Sequence, residues 1–151
     1  TIGLTSFADA TGGLTIVDAG GLATIGAVGS GASGDVTITN SQAGVTFSST
    51  VDAGTLAITD TADNQDITFS DDVTAVTLTT TGNLYNVIFE EDVTVTNDVT
   101  FAAIRNLDIG GATDDTATFT GGLDTTVATG TVTIAGTINT TNTQMDLGCF
   151  G

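Results

Sequence analysis

Five carboxylates in two short runs are the residues of this chain best suited to chemistry: Asp71 and Asp72 in "FSDDV" (69–73), and Glu90, Glu91 and Asp92 in "FEEDV" (89–93). Each run lies between a Phe and a Val, and the two lie twenty residues apart. Oxygen donors of this kind suit Ca2+, whereas zinc is disfavoured in a chain with no His and one Cys. If the runs stack at strand spacing, Asp71 meets Glu91 and Asp72 meets Asp92, with Glu90 beside them. Two unit charges ~4.8 Å apart repel by about 1 kcal/mol in bulk water, and by more near a protein surface. A bound cation would turn that repulsion into a clamp. The competing expectation is a solvated acidic corner, screened by salt and serving solubility. "TDDT" (113–116) and "DTADNQD" (60–66) pose the same choice more weakly, and the calcium-binding nonapeptide GGxGxDxUx does not occur.

Other chemistries find little to work with. Sixteen Asp and two Glu make some carboxylate pair inevitable, so a glycosidase pairing has no specificity here. Without His, the usual nucleophile–base dyads are absent. The single base, Arg105, aligns with Tyr85, Gln65 and Ala43, and the expected arrangement is a guanidinium lying over Tyr85 or plainly exposed at the surface. "GSGASG" (29–34) lacks the Lys and the helix of a phosphate loop and reads as a widened corner. "NTT" (139–141) matches a glycosylation sequon, a short motif with a high chance frequency. No enzymatic activity is expected.

The elements that must carry these residues are strands. The 151 residues hold 18 acids against one base, for a net charge of −17, with no Pro, yet 40% are hydrophobic. That apolar content separates the chain from disordered polyanions. Thr, Val, Gly and Asp dominate the rest, a mixture that favours strands and tight turns. Such a charge excludes nucleic acid as a partner, because phosphate binding needs Lys and Arg. No apolar run approaches the ~20 residues of a transmembrane helix, so no membrane insertion is expected. The chain starts at Thr1, which suggests a processed or excised segment, and Cys149 alone cannot form an internal disulfide.

Stacking the chain on its Phe-bearing motif gives "GVTFSSTV" (44–51), "DITFSDDV" (66–73), "NVIFEEDV" (86–93) and "NLDIGGAT" (106–113). A second series, "DVTI" (35–38), "TLAI" (55–58), "AVTL" (75–78) and "DVTF" (98–101), interleaves at nearly the same period. Within each unit apolar residues alternate, so Val45 and Phe47, Ile67 and Phe69, and Val87 and Phe89 share a face. Two interleaved series in phase predict a β-solenoid, in which each coil lies on the last. Phe47, Phe69 and Phe89 should form one interior ladder, and Ile38, Ile58, Leu78 and Phe101 another. Gly44, Asp66, Asn86 and Asn106, which precede the Phe-bearing strand, are expected at left-handed corners. The expected fold is all-β, a right-handed parallel β-helix in a single domain spanning 1–151, with about seven coils of roughly twenty residues. Repeats are most regular over 35–113 and irregular over 1–34 and 114–151. Outward threonines Thr37, Thr39, Thr59, Thr77 and Thr79 resemble the flat arrays of ice-binding faces, interrupted by Ala57.

"GDVTITN" (34–40), "DITFSDDV" (66–73) and "GTVTIAGTINTT" (130–141) resemble the β-strand repeats of large bacterial surface proteins, namely autotransporter passengers and filamentous-haemagglutinin-type adhesins. The resemblance covers most of the chain and implies a right-handed β-helix serving as stalk, adhesin or surface filament. Together with the acidic, Lys-free composition it implies a prokaryotic extracellular or cell-surface location. Open solenoid ends, with neither Lys nor Pro to blunt them, predict head-to-tail pairing with identical subunits. A filament or surface-layer subunit is therefore the leading expectation. An adhesin stalk fragment comes second, and a carbohydrate-active enzyme third.

Overall fold

The computed structural model describes residues 2–7, 13–29, 34–82 and 84–148. Thr1, most of the "GSGASG" stretch and Cys149 lie outside the described residues. The described chain contains no helix. It winds as parallel strands that stack into a β-solenoid of about six turns.

Each coil contributes to three parallel ladders. The first stacks β1 (Ile2–Phe7), β3 (Ala23–Val28), β5 (Val45–Phe47), β7 (Asp66–Phe69), β9 (Asn86–Phe89), β12 (Leu107–Ile109) and β15 (Val132–Ile134). The second runs through the first halves of β6 (Val51–Ile58) and β8 (Val73–Thr80), then β10 (Val93–Val95), β13 (Thr116–Phe119) and β16 (Thr137–Asn139). The third takes β2 (Leu14–Ile16), β4 (Val36–Ile38) and the second halves of β6 and β8. Beyond them, β11 (Val99–Thr100), β14 (Leu123–Asp124) and β17 (Met145–Asp146) pair as a separate sheet. In β6 the two consecutive non-core positions Gly54 and Thr55 mark where the inward phase flips and the strand turns from one ladder to the next.

Alternation builds the core as the period of two requires. Val45 and Phe47, Ile67 and Phe69, Val87 and Phe89, and Leu107 and Ile109 are buried, while Thr46, Thr68, Ile88 and Asp108 between them are only partly so. The Phe ladder forms as expected: the Phe47–Phe69 and Phe69–Phe89 centroids are each 5.0 Å apart, with planes within 7° and 12°. Such a parallel stack follows from strand spacing, which places equivalent side chains one rung apart.

Six expectations need correction. Ile2, Ala23, Val45, Ile67, Val87, Leu107 and Val132 form one column, so successive coils take 21, 22, 22, 20, 20 and 25 residues, giving six steps and not seven. In the third ladder Leu78 stacks on Leu56, and Ile58 meets Thr80. The coil there is 22 residues long, so the twenty-residue alignment slips by two, and a slip of two keeps every side chain on its own face. Phe101 leaves that column and packs edge-on between Phe89 and Phe119 (centroids 6.3 and 6.4 Å). The same slip rearranges the outward threonines, setting Thr37, Ala57 and Thr79 in one column and Thr55 beside Thr77.

The corners differ as well. Of the four residues expected to be left-handed, only Gly44 (φ 81°) is; ahead of the other three, positive φ falls upstream, at Asn64, Leu84 and Ala103. A Cβ on Gly44 would fall 2.4 Å from the Asp66 carbonyl oxygen, so the next coil leaves room for glycine alone. Asp66, Asn86 and Asn106 instead work as polar links. Asn86 Nδ2 donates to Asp66 Oδ1 (2.7 Å), and Asn106 Oδ1 accepts from Thr131 N (3.0 Å).

Arg105 does not lie over Tyr85. Tyr85 is fully buried, donating its hydroxyl to Thr81 O (2.7 Å) with Ile58 O at 3.0 Å, and burial pushes its pKa up. Exposed Arg105 reaches across two coils to donate from Nη1 to Asn64 Oδ1.

Candidate functional site

The acidic runs sit at the corner between the first and second ladders, where each chain leaves its Phe and turns. Val73 pairs with Val93, so Asp72 and Asp92 fall on successive rungs with Asp71 and Glu91 beside them, as the repeat predicts. Backbone bonds tie the corners together: Val51 N donates to Asp72 O and Val73 N to Asp92 O, both at 2.9 Å. Glu90 N donates to Phe69 O (2.9 Å), and Gly111 N donates to Glu90 O (3.1 Å). A Cβ on Gly111 would lie 2.6 Å from that same oxygen, which explains why a glycine stands there.

Two of these five carboxylates, and Asp115 beside them, engage backbone amides. Asp71 Oδ1 accepts from Asp72 N (2.9 Å), and Asp92 Oδ1 accepts from Thr116 N of the next coil (2.7 Å). Asp115, only 7% exposed, turns Oδ2 onto Gly111 N (2.6 Å) and Ala112 N (2.8 Å). Exposed Glu91 stands among these charges. Asp115 raises its pKa most, followed by slight desolvation and then Asp72, Asp71 and Asp114. Among the described residues, no three acidic side chains converge as they would to hold a metal ion.

Sequence reasoning therefore located this corner but kept Asp115 apart from it, in the weaker acidic spot "TDDT" (113–116). The two are joined by a corner four residues longer than its neighbours: Val93 pairs with Ala117, whereas the repeat matched it to Thr113. The tally of Asp115's amide partners marks it as a buried, structural acid that closes this long loop.

A polar hollow of about 310 Å³ lies on the separate β11–β14–β17 sheet near the C-terminal end and is lined by Asp98, Thr100, Gly121, Leu123, Asp124, Gln144 and Asp146. Thr100, Asp124 and Asp146 share one column. Asp124 Oδ1 accepts from Thr126 Oγ1 (2.6 Å) and Thr126 N (2.8 Å), which holds its carboxyl below the usual range. The repeat motif "DVTF" (98–101) holds Asp98 and Thr100, but no motif marks Asp124 or Asp146, because the strands carrying them are only two residues long.

Asn139 of the sequon is exposed at the end of β16, and Thr141 Oγ1 donates to Thr120 O (2.9 Å). Comparison with protein-family models, curated proteins and solved structures returns no match for this chain.

The remaining candidate is the backbone itself. β1 and β2 pair on one side only, as do β15, β16 and β17, so both terminal rungs present open strand edges among the described residues. An open edge is a template for another parallel strand.

Proposed function

We propose that this chain is an extracellular structural protein, a β-solenoid subunit of a prokaryotic surface filament or surface layer in which copies continue one another end to end. The observation that carries the reading is the pair of open terminal rungs on a rod with a filled apolar interior. The interior leaves the chemistry of the fold to its edges: Phe47, Phe69, Phe89, Phe101 and Phe119 are all buried, each in ring contact with its neighbour along the axis. At the acidic corner Asp71, Asp92 and Asp115 engage backbone amides, an arrangement suited to solubility and loop closure more than to turnover. Composition supports an exterior location, with one basic residue and one Cys in 151.

A head-to-tail contact that does not close generates a fibre. Electron microscopy of the purified protein should therefore show fibres or end-to-end chains, with sedimentation showing mass growth as concentration rises. Persistent, monodisperse monomers at high concentration and high salt would overturn the reading. The second reading is a stalk or adhesin passenger segment of a larger surface protein. It is favoured by the same open edges, which further coils of one polypeptide would cover equally well.

A further inference from the structure

We infer, building on the end-to-end reading, that a second copy of this chain joins in one specific register: Val132 and Ile134 of one copy over Ile2 and Leu4 of the next, and Thr133 over Gly3. The direction of the backbone groups at the two ends supplies the argument. In the first ladder Val87 N donates forward to Asn106 O (3.0 Å), Leu107 N forward to Thr131 O (3.0 Å), and Ala135 N back to Ile109 O (2.9 Å). In a parallel strand, successive residues turn their amide and carbonyl groups to opposite sides. Residues 131, 133 and 135 thus face β12, and Val132 and Ile134 turn theirs to the open edge. At the other end Ile2 and Leu4 share the column of residues that point forward, so Gly3 points to the open side of β1.

The two edges match group for group. Gly3 N would donate to Val132 O, and Ile134 N to Gly3 O, repeating the pattern already made between β12 and β15. A shift of one residue would set amide against amide. It would also put the interior column of one copy on the outer face of the next.

Side chains at the two rims agree with this register. At the C-terminal rim Ile134, Ile138 and Leu147 are only partly buried and Met145 is 36% exposed, whereas Ile109, Phe119 and Leu123 one coil inward are at most 1% exposed. At the N-terminal rim an apolar hollow of about 360 Å³ is lined chiefly by Leu14, Ile16, Val17, Ala23 and Ile25. Each rim leaves apolar side chains that a further coil would cover. The net charge of −17 opposes any approach of two copies, so the contact should strengthen with salt.

Paired cysteines test the register. Gly3→Cys and Thr133→Cys are introduced together in a Cys149→Ser background. A Cβ at Gly3 meets nothing within 4 Å, and Thr133 is exposed, so neither change touches the core. Stacked at ~4.8 Å, these positions fall within the ~4.4–6.8 Å Cα range of a disulfide. Within one chain they are six rungs, or ~29 Å, apart and cannot close. Mild oxidation in high salt should give a ladder of covalent oligomers on a non-reducing gel. The control pair, Gly3→Cys with Asn139→Cys on the second ladder, should give none. A second variant, Gly3→Pro, removes the outward amide alone, at an edge position where Pro is tolerated. It should abolish assembly while leaving the thermal midpoint close to that of the parent. Fibres without a ladder, equal ladders from both pairs, or fibres from Gly3→Pro would overturn the register and leave end-to-end assembly standing. Monomers under all conditions would overturn both.

Discussion

At Glu91 the local field can be followed to a measurable sign. Asp115, Asp72, Asp71 and Asp114 hold its carboxyl above the ordinary Glu range. A raised value means that the folded chain binds this proton more tightly than the unfolded one. Stability from this group is therefore present below the unfolded value of about 4.3, and is lost as pH rises through the folded value. At neutral pH its charge works against the fold. Glu91→Gln should accordingly melt higher than the parent at pH 7 in low salt. The gain should shrink in about 1 M NaCl, where the screening length falls to ~3 Å, and vanish below pH ~4. A midpoint at pH 7 equal to or below the parent's would sink this account. Asp115 behaves differently because its Oδ2 already holds two amides, so its charge serves the loop while it burdens its neighbour.

Among the elements, the Phe column shows how much rests on one rung. Phe69 is buried between Phe47 and Phe89, with both rings 5.0 Å away. Phe69→Ala should cost about 3–5 kcal/mol, seen as a lower denaturant midpoint, because rigid strands on either side cannot close the gap. An effect below about 1 kcal/mol would mean that the coils collapse around the hole. This ladder was legible in the sequence because Phe47, Phe69 and Phe89 keep one spacing to the following Val, and alternation does the rest. The third ladder was misread where coil length changed. "VDAGTLAI" (51–58) matches "VTAVTLTT" (73–80) over eight residues at an offset of 22, a stronger alignment than the four-residue one at twenty. Tyr85 was unreadable for a different reason. Its column holds exposed Arg105, and only the left-handed turn at Leu84, together with the carbonyls of Ile58 and Thr81 that its hydroxyl meets, explains an inward tyrosine. The acidic corner was visible as a run of acids, but the amides that occupy them were not.

For the whole molecule, 18 acids and one base make salt a structural variable. Thermal midpoints should rise with ionic strength. At matched ionic strength CaCl2 and NaCl should act alike, since Asp71, Asp92 and Asp115 spend oxygens on backbone amides. A larger shift with CaCl2, reversed by EDTA and lost in Asp72→Asn, would restore the calcium clamp that the composition first suggested. The stacked column of Ile2, Ala23, Val45, Ile67, Val87, Leu107 and Val132 has one further consequence. In a solenoid the interstrand hydrogen bonds run along the rod. Tension applied from end to end therefore loads the coils in series, and the weakest rung alone decides when the rod gives way. Each coil of 20 to 25 residues that peels off would release ~65–90 Å of slack before the next one bears the load. Under tension the molecule would yield in steps, as a shock absorber and not as a stiff strut.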